Sequence, residues 1–164
     1  MHVDAIRREL RDGRSPSLRR RRWIGTLAAL GLADFAIISL YQIGVIRHLP
    51  DIPGKVFDSD KVNASHKAYA RGLPDGTTGA ALYALILMLA SAGGSRRTGR
   101  HPIFELVLGG AVVAGVAGAL QYLHDMIRHQ ERACPYCIAG AALNFAMVPF
   151  VAKEVAGAAR AIGR

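Results

Sequence analysis

The stretch ACPYCIAGAALNFAMVPFVA, residues 133–152, has no charged side chain in 20 positions and carries the only two cysteines of the chain, Cys134 and Cys137, near its start. A helix rises about 1.5 Å per residue, so this length crosses the roughly 30 Å hydrocarbon core of a membrane. In lipid, a single segment of this kind satisfies its backbone hydrogen bonds as a helix. The stretch therefore predicts a transmembrane helix that opens with a CxxC motif.

Three further segments have the same apolar character. Residues 23–46 contain one charge in 24 positions, and 77–95 and 106–124 contain none in 19 positions each. We therefore predict an all-α fold, an integral membrane four-helix bundle within residues 23–152. The expected helices span about 23–46, 77–95, 103–124 and 133–152.

Lysine and arginine residues are unevenly distributed between the segments outside these helices. Residues 1–22, 96–105 and 153–164 contain 14 of the 21, whereas 47–76 and 125–132 contain 7. The cytoplasmic flanks of membrane helices are enriched in these residues. We therefore predict a multi-pass protein with basic cytoplasmic tails at 1–22 and 153–164. The CxxC motif then lies on the extracytoplasmic side, where thiol pairs are oxidised.

The net charge of +9 is concentrated partly in the run from Arg19 to Arg22, which directly precedes Trp23. A basic run beside an interfacial tryptophan is typical of an anchor on anionic lipid. We expect membrane lipid as a partner and no nucleic acid. The first apolar segment is too long for a cleaved signal peptide, so we expect it to stay attached.

The CxxC motif places two sulfurs within disulfide reach at a helix start. Pro135 suits the first helical turn, and the unpaired amides there favour a thiolate, so we interpret the motif as redox-active. The alternatives are a structural disulfide, half of a metal site, or two unrelated buried thiols. His124 and His129 could complete a metal site with the cysteines, but a spacing of five does not place them on one α-helical face. We therefore expect no metal.

The segment between the first two helices contains two Leu-Pro-Asp triplets, at residues 49–51 and 73–75. These break helices, whereas Asp58 or Ser59 can cap a short helix between them. We predict an amphipathic half-helix at about 59–71 that lies over the mouth of the bundle on its extracytoplasmic side.

Within the membrane segments, Asp34 lies near the middle of the first helix, where a charge is costly. It is either a proton-relay or pocket residue, or a protonated carboxyl bonded to a neighbouring helix. Glu105 is expected to reach the cytoplasmic interface. Small residues four apart in the third helix predict close packing against a neighbouring backbone. They are Gly110, Ala114 and Gly118.

Several of these residues together carry a resemblance to a known family. They are Ser65, followed seven positions later by Gly72, then Leu73-Pro74-Asp75, Gly79, Tyr83 and the CxxC that opens the fourth helix. In this order, from about Ser39 to Phe150, the chain resembles the bacterial form of the vitamin K epoxide reductase family of membrane quinone-linked thiol oxidoreductases.

The resemblance implies a bundle around a quinone, capped by the half-helix, in a bacterial inner membrane. It implies that Cys137 faces the quinone, which is menaquinone or ubiquinone, while Cys134 exchanges disulfides. Asp75 would bond a quinone carbonyl and Ser65 would line the same pocket. The remaining candidate cofactor-binding residues are Tyr83 and Asp34.

The chain departs from the family pattern at three points. The loop cysteine pair that shuttles electrons in the family falls here at about Asp51 and Ser59, so the shuttle is missing. A tyrosine four residues after the second cysteine of the motif is replaced by Ala141. No thioredoxin-like domain follows the fourth helix, so we expect the partner to be a separate extracytoplasmic thioredoxin-fold protein or a small thiol.

Two functions follow. The first is an enzyme, a thiol-disulfide oxidoreductase that passes electrons from a thiol partner through Cys134 and Cys137 to a membrane quinone and so supports disulfide bond formation. The alternative is a non-catalytic or attenuated membrane binding or scaffold protein with the same bundle. A metal-binding membrane protein is the least favoured interpretation.

Overall fold

The structure, a computed structural model, describes residues 3–70 and 72–163. The predicted tails and half-helix extend to Met1, His2, Arg71 and Arg164, which lie outside the described residues. The α-helices are α1 (Val3–Asp12), α2 (Pro16–Gln42), α3 (Ser59–Asn63), α4 (Asp75–Ser91), α5 (Arg97–Arg100), α6 (Ile103–Asp125) and α7 (Pro135–Ile162). A 3-10 turn spans His66–Tyr69, and a π-helical segment, Met126–Gln130, continues α6. The described residues contain no strand beyond one isolated bridge, so the all-α class is confirmed.

Three helices are long and apolar enough to cross a membrane: α2, α6 with its π-helical extension, and α7. Helix α4 is apolar but has only 17 residues, about 25 Å of helix. It ends at Ser91, earlier than predicted, and Gly93 follows with a φ of +71°. Arg21 donates to the backbone carbonyls just beyond this end, those of Ala92, Gly93 and Gly94.

Helix α2 packs against α4 and α7, and α6 packs against the same two helices. The largest side chains in the shared core include Tyr83, Ile86, Leu108 and Met147, each at most 1% exposed. Tyr83 fits because α2 has Gly31 opposite, where an added Cβ would lie 2.2 Å from the tyrosine ring. The packing of Tyr83 in the core therefore depends on a glycine at this position.

The basic run predicted as part of a tail is helical, since α2 begins at Pro16 rather than near Trp23. Ser15 caps the helix by accepting from the amide of Leu18 at 3.2 Å. Arg21 is only 3% exposed because its guanidinium is satisfied by the carbonyls at the end of α4. Arg21, one positive charge of this run, is thus buried and links α2 to the end of α4.

The predicted N-terminal and C-terminal tails are both helical where the structure describes them, and both contact other parts of the chain. Within the predicted N-terminal tail, residues Val3–Asp12 form α1, and its Glu9 accepts from Ser95. At the other end, α7 runs ten residues past the predicted end to Ile162, because Glu154, 1% exposed, accepts from Ser17 and Arg20.

The expectation that Glu105 reaches the interface is wrong. Its side chain is fully buried and pairs with Arg97 at 2.9 Å, with a second hydrogen bond from Thr98 at 3.1 Å. Arg97 is itself 2% exposed at the side chain and also donates to the carbonyl of Ala92 at 2.7 Å. This ion pair joins α5 to the first turn of α6.

Candidate active site

The CxxC motif lies at the start of α7, as the sequence predicted. Cys134 is the N-cap residue, and its Sγ accepts from the amide of Cys137 at 3.2 Å, while Pro135 occupies the first turn. Both sulfurs are free thiols in this structure, which therefore represents the reduced state. A sulfur at the N-cap faces the positive end of the helix dipole, which favours its thiolate.

The loop between α2 and α4 covers Cys134. The bridge between Phe57 and Ala133 is formed by the amide of Asp58 donating to Ala133 O at 3.0 Å and by Ala133 N donating to Val56 O at 2.9 Å. Helix α3 then crosses the motif, and Val62 packs with Met126 against Cys134. Cys134 is 0% exposed as a result.

The family resemblance implies that Cys134 exchanges disulfides with a partner, yet in this structure it is the less accessible sulfur. Cys134 does lie nearer the outer end of α7 than Cys137, but the loop covers it. Cys137, the deeper one, is half-buried and borders an internal cavity. The sulfur that faces open space is therefore Cys137.

Asn63, at the end of α3, touches both sulfurs with its side-chain amide. Its Nδ2 donates to Cys134 Sγ at 3.3 Å, and its Oδ1 accepts from Cys137 Sγ at 3.8 Å. Nδ2 also donates to the carbonyl of Ser59 at 2.8 Å, and the Asn63 carbonyl accepts from Gln42 at 3.2 Å. The amide is 2% exposed and held from three sides.

The two positions at which the family resemblance placed the missing cysteine pair are in direct contact. Ser59 Oγ donates to Asp51 Oδ1 at 2.6 Å, and the amide of Ser59 donates to Asp51 Oδ2 at 2.8 Å. This pair closes the loop non-covalently at the start of α3. Nearby, Asp60 adds a second closure by accepting from Leu49 N at 2.9 Å and pairing with His48 at 2.5 Å.

Hydrogen bonds at Cys134 favour its charged form. Those from Cys137, first from its side chain and then from its backbone amide, together with Asn63 and Ser59, lower the pKa of the Cys134 thiol to about 6. Burial acts in the opposite direction and is outweighed. The hydrogen bonds around Cys134 thus favour its thiolate in the reduced protein.

A cavity of about 360 Å³ lies between α2, α4, α6 and α7, beneath the loop. This volume is within the usual range for small-molecule sites, and the lining is mainly apolar with a few polar groups. The polar groups that border it include Asn63, Lys67, Asp75, Tyr122, Asp125 and Asn144.

Asp75 borders the cavity, and its two oxygens are already engaged. Oδ1 accepts from Gln42 Nε2 at 2.5 Å, and Oδ2 accepts from the hydroxyl of Tyr122. Gln42 in turn accepts from the amide of Gly76 at 3.0 Å. Asp75 therefore orients Tyr122 and Gln42, and both of its oxygens are used as acceptors for these two side chains.

The other predicted binding residues lie in different environments. Tyr83 borders the cavity, but its hydroxyl donates to the carbonyl of Gly140 at 2.8 Å and so clamps α4 to α7. Asp34 does not line the cavity. Its Oδ2 is buried near Gly140 with no hydrogen-bond partner among residues 3–70 and 72–163. Ser65 is also outside the lining, and its hydroxyl accepts from Gln130 at 3.4 Å.

The small residues of α6 make room for the cavity. A Cβ built at Gly110 or Gly118 would meet no described atom within 4 Å, and Ala114 and Gly118 both border the cavity. The expectation that this stripe packs against a neighbouring backbone is wrong. Ala141, which stands where the family often has a tyrosine, widens the same space.

Sequence reasoning did not identify four polar residues of the site, namely Gln42, Asn63, Tyr122 and Asn144. One of them left a signal, since Asn144 is the only side-chain amide in the uncharged stretch 133–152. It donates to Gly140 O at 3.2 Å, and its buried Oδ1 has no partner in the described part of the chain. The others depend on contacts between distant segments.

The π-helical segment changes the geometry of the two histidines. His124 and His129 lie five residues apart, and the wider π turn brings both beside Asp125, at 3.8 and 3.4 Å from its Oδ1. The same oxygen pairs with Lys67 Nζ at 2.5 Å. The spacing argument against a shared helical face was therefore wrong. Lys67 is the cationic partner of the Asp125 carboxylate.

One of three comparisons with known proteins matches this chain. A family profile described as "Vitamin K epoxide reductase family" matches residues 22–152, which include all four apolar segments and the CxxC motif. Searches of curated proteins and of solved structures found no match. The match covers most of the chain, and together with the long apolar helices it assigns a membrane protein with the oxidoreductase character of the family. The chain belongs to the vitamin K epoxide reductase family.

Proposed function

We propose that the protein passes electrons from a thiol donor through Cys134 and Cys137 to a membrane quinone. The observation that carries this proposal is the position of Cys137, which borders a 360 Å³ cavity while its redox partner lies one helical turn away, outside that cavity. The four apolar helices would form a membrane-spanning bundle, with α4 as the shortest span. The donor would be a separate thioredoxin-fold protein or a small thiol.

The cavity suits a quinone in size and polarity. Its apolar walls would accept a flat ring, and the groups at its border could meet two carbonyl oxygens. The donor for one of them would be the second Nδ2 hydrogen of Asn144, since the first is donated to Gly140 O. The Tyr122 hydroxyl donates to Asp75, and Asn144 Oδ1, an acceptor without a partner within the described residues, suits the hydroxyl of a quinol. Menaquinone and ubiquinone both have the required ring.

The chemistry balances with the two cysteines. When their disulfide forms, the Cys134 thiolate and the Cys137 thiol release two electrons and one proton. A bound quinone would accept two electrons and two protons. The second proton must come from another group. Asp34, whose buried Oδ2 lies near Gly140 outside the cavity lining, would supply it only through an intervening carrier.

The disulfide is reduced again by the donor. A donor thiolate attacks Cys134 Sγ, the bond to Cys137 breaks, and Cys137 leaves as a thiolate; a second donor thiol then resolves the mixed disulfide. Because Cys134 is covered by α3 in the reduced state, the loop must move or the donor must be small.

The assay for this function uses purified protein, a small dithiol and a short-chain quinone. We expect quinol to form faster than in the uncatalysed reaction, with a rate that saturates in quinone. A rate equal to that of the same mixture containing the Cys134→Ser/Cys137→Ser protein would contradict the proposal.

We place the protein in a bacterial inner membrane with both termini in the cytoplasm, based on the lysine and arginine distribution. Single cysteines introduced by Lys61→Cys and Ala159→Cys, both at exposed positions, test this in a background without Cys134 and Cys137. An impermeant thiol reagent added outside intact cells should label the first and miss the second. The reverse pattern would invert the topology.

Asp75 should determine quinone affinity through Tyr122 and Gln42. Asp75→Ala removes the acceptor that orients Tyr122 and Gln42 and should weaken binding by roughly 1 to 3 kcal/mol, the usual cost of removing one partner of a buried hydrogen bond. Asp75→Asn keeps one acceptor and adds a donor, so affinity should be preserved or increase. Calorimetric titration with a short-chain quinone measures both. Unchanged affinity in both variants would place the ring elsewhere.

A second function, a binding or scaffold protein without turnover, is favoured by one observation. The hydrogen-bonded pair Asp51 and Ser59 occupies the positions of the family's shuttle cysteines, and it helps to close the loop over Cys134. If this closure is permanent, no protein donor reaches the sulfur. Quinone binding without turnover, for protein and small dithiol donors alike, would support this alternative.

A further inference from the structure

The side-chain amide of Asn63 presents a hydrogen-bond donor to one sulfur and an acceptor to the other. Its Nδ2 is a donor 3.3 Å from Cys134 Sγ, and its Oδ1 is an acceptor 3.8 Å from Cys137 Sγ. A thiolate can only accept, and a thiol can donate. The amide is therefore complementary to one protonation pattern of the pair, with the charge on Cys134 and the proton on Cys137.

The orientation of this amide is fixed by the chain around it. Nδ2 donates to Ser59 O at 2.8 Å, and a carbonyl accepts only from the NH2 end, so a flipped amide would lose this bond as well. The side chain is 2% exposed, which removes water as a competing partner. Gln42 and the Asp51–Ser59 contact hold the backbone at both ends of α3.

We propose that Asn63 is a positioning residue that bridges both sulfurs, keeps the negative charge on Cys134 and leaves the proton on Cys137 beside the cavity. This inference rests on the redox function proposed above and deepens it. It assigns the thiolate to the sulfur that exchanges with a donor. The proton is left on the sulfur that faces the quinone.

Several acidic groups surround the two cysteines, and Asn63 is a neutral hydrogen-bond donor among them. Asp34 on α2 and Asp75 at the start of α4 interact electrostatically with the cysteine pair. Asp51, in the loop, interacts in the same way with Tyr136, which lies between the two cysteines in sequence. Any negative charge among these acids opposes a thiolate. From the π-helical segment the contact is Met126, which is uncharged. Asn63 adds a hydrogen bond to Cys134 without adding charge.

The test follows the ultraviolet absorbance of the thiolate in the reduced full-length protein as a function of pH. The chain has only two cysteines, so the signal has two possible sources. Because hydrogen bonds lower the pKa of Cys134 to about 6, the wild-type signal should persist to about that pH. Asn63→Ala should raise the midpoint by about one pH unit, a tenfold loss of thiolate below it. Asn63→Asp should raise it further, since a carboxylate repels the thiolate.

Two controls separate positioning from general structure. Asn144→Ala removes a buried amide that touches neither sulfur, so its midpoint should match wild type. Asn63→Gln keeps both amide functions and should restore most of the thiolate. An Asn63→Ala midpoint equal to that of wild type would overturn the inference.

A second pair of variants tests the assignment without altering Asn63. Cys137→Ser retains Cys134 and should show the thiolate at neutral pH, whereas Cys134→Ser should not. The opposite result would also overturn the inference. This test still applies if the Asn63 variants fail to fold. None of these measurements requires a quinone, so the absence of turnover would count against the proposed function alone.

Discussion

Replacing Cys137 by serine should abolish quinone reduction, lowering the rate about 10³-fold or more, as expected when a covalent redox residue is lost. Serine preserves the shape at the cavity border but cannot form the disulfide. The remaining Cys134 thiolate can still be captured by an oxidised donor as a mixed disulfide. We therefore expect a trapped adduct together with the loss of turnover, measured by quinol absorbance and by intact-protein mass spectrometry.

The matched variant for this prediction is Cys134→Ser. It also loses turnover, but it should form far less mixed disulfide, because the remaining thiol at Cys137 is the protonated one. Substantial quinone reduction by the Cys137→Ser protein would remove the dithiol from the mechanism. Equal trapping by the two variants would contradict the division of roles between the cysteines.

The second large effect concerns stability. Glu105→Leu should lower the free energy of unfolding by about 3 to 5 kcal/mol, because Arg97 would remain buried without its counter-charge. Their 2.9 Å contact is almost completely shielded, with side-chain exposures of 2% and 0%. A denaturant titration in mixed micelles, followed by loss of helix, measures the change.

Two comparisons make this prediction specific. Glu105→Leu/Arg97→Met removes both charges and should recover most of the lost stability, as in other buried pairs replaced by apolar residues. The exposed pair Asp4 and Arg7, 3.9 Å apart, provides the surface control, and Asp4→Ala should change stability by less than about 1 kcal/mol. A Glu105→Leu effect as small as that of Asp4→Ala would show that the ion pair does not hold α5 against α6.

The parts of this protein that could be predicted from sequence depend on local signals. Uninterrupted apolar segments predicted the helices, and the N-cap preferences around Pro135 predicted a helix that begins at the CxxC motif. The ends of α2 and α7 were missed because Arg21 and Glu154 look like surface charges in sequence. They are satisfied by partners more than 60 residues away in the chain.

For the candidate site, the sequence predicted which residues could take part but not how they are arranged. Asp75, Tyr83 and Cys137 do border one cavity. The covering of Cys134, the amide of Asn63 and the engagement of Asp75 by Tyr122 were not predicted, because each requires a contact between the loop and distant helices. Patterns along the chain carry no information on which loop residue faces which helix.

The histidines illustrate a different limit. Helical spacing was applied with the α-helical period, whereas residues Met126–Gln130 form a π-helix with a wider turn. The residues in this segment have no feature that predicts the change. The conclusion on shared faces was wrong for that reason alone.

The most direct test of the central claim is a single turnover. Reduced, donor-free protein is mixed with one equivalent of a short-chain quinone, and the thiols and the quinol are counted after quenching with an alkylating reagent. The account predicts that each molecule loses two thiols, gains one Cys134–Cys137 disulfide and yields one equivalent of quinol. Two alkylatable thiols that persist in the presence of bound quinone, with no quinol formed, would contradict it.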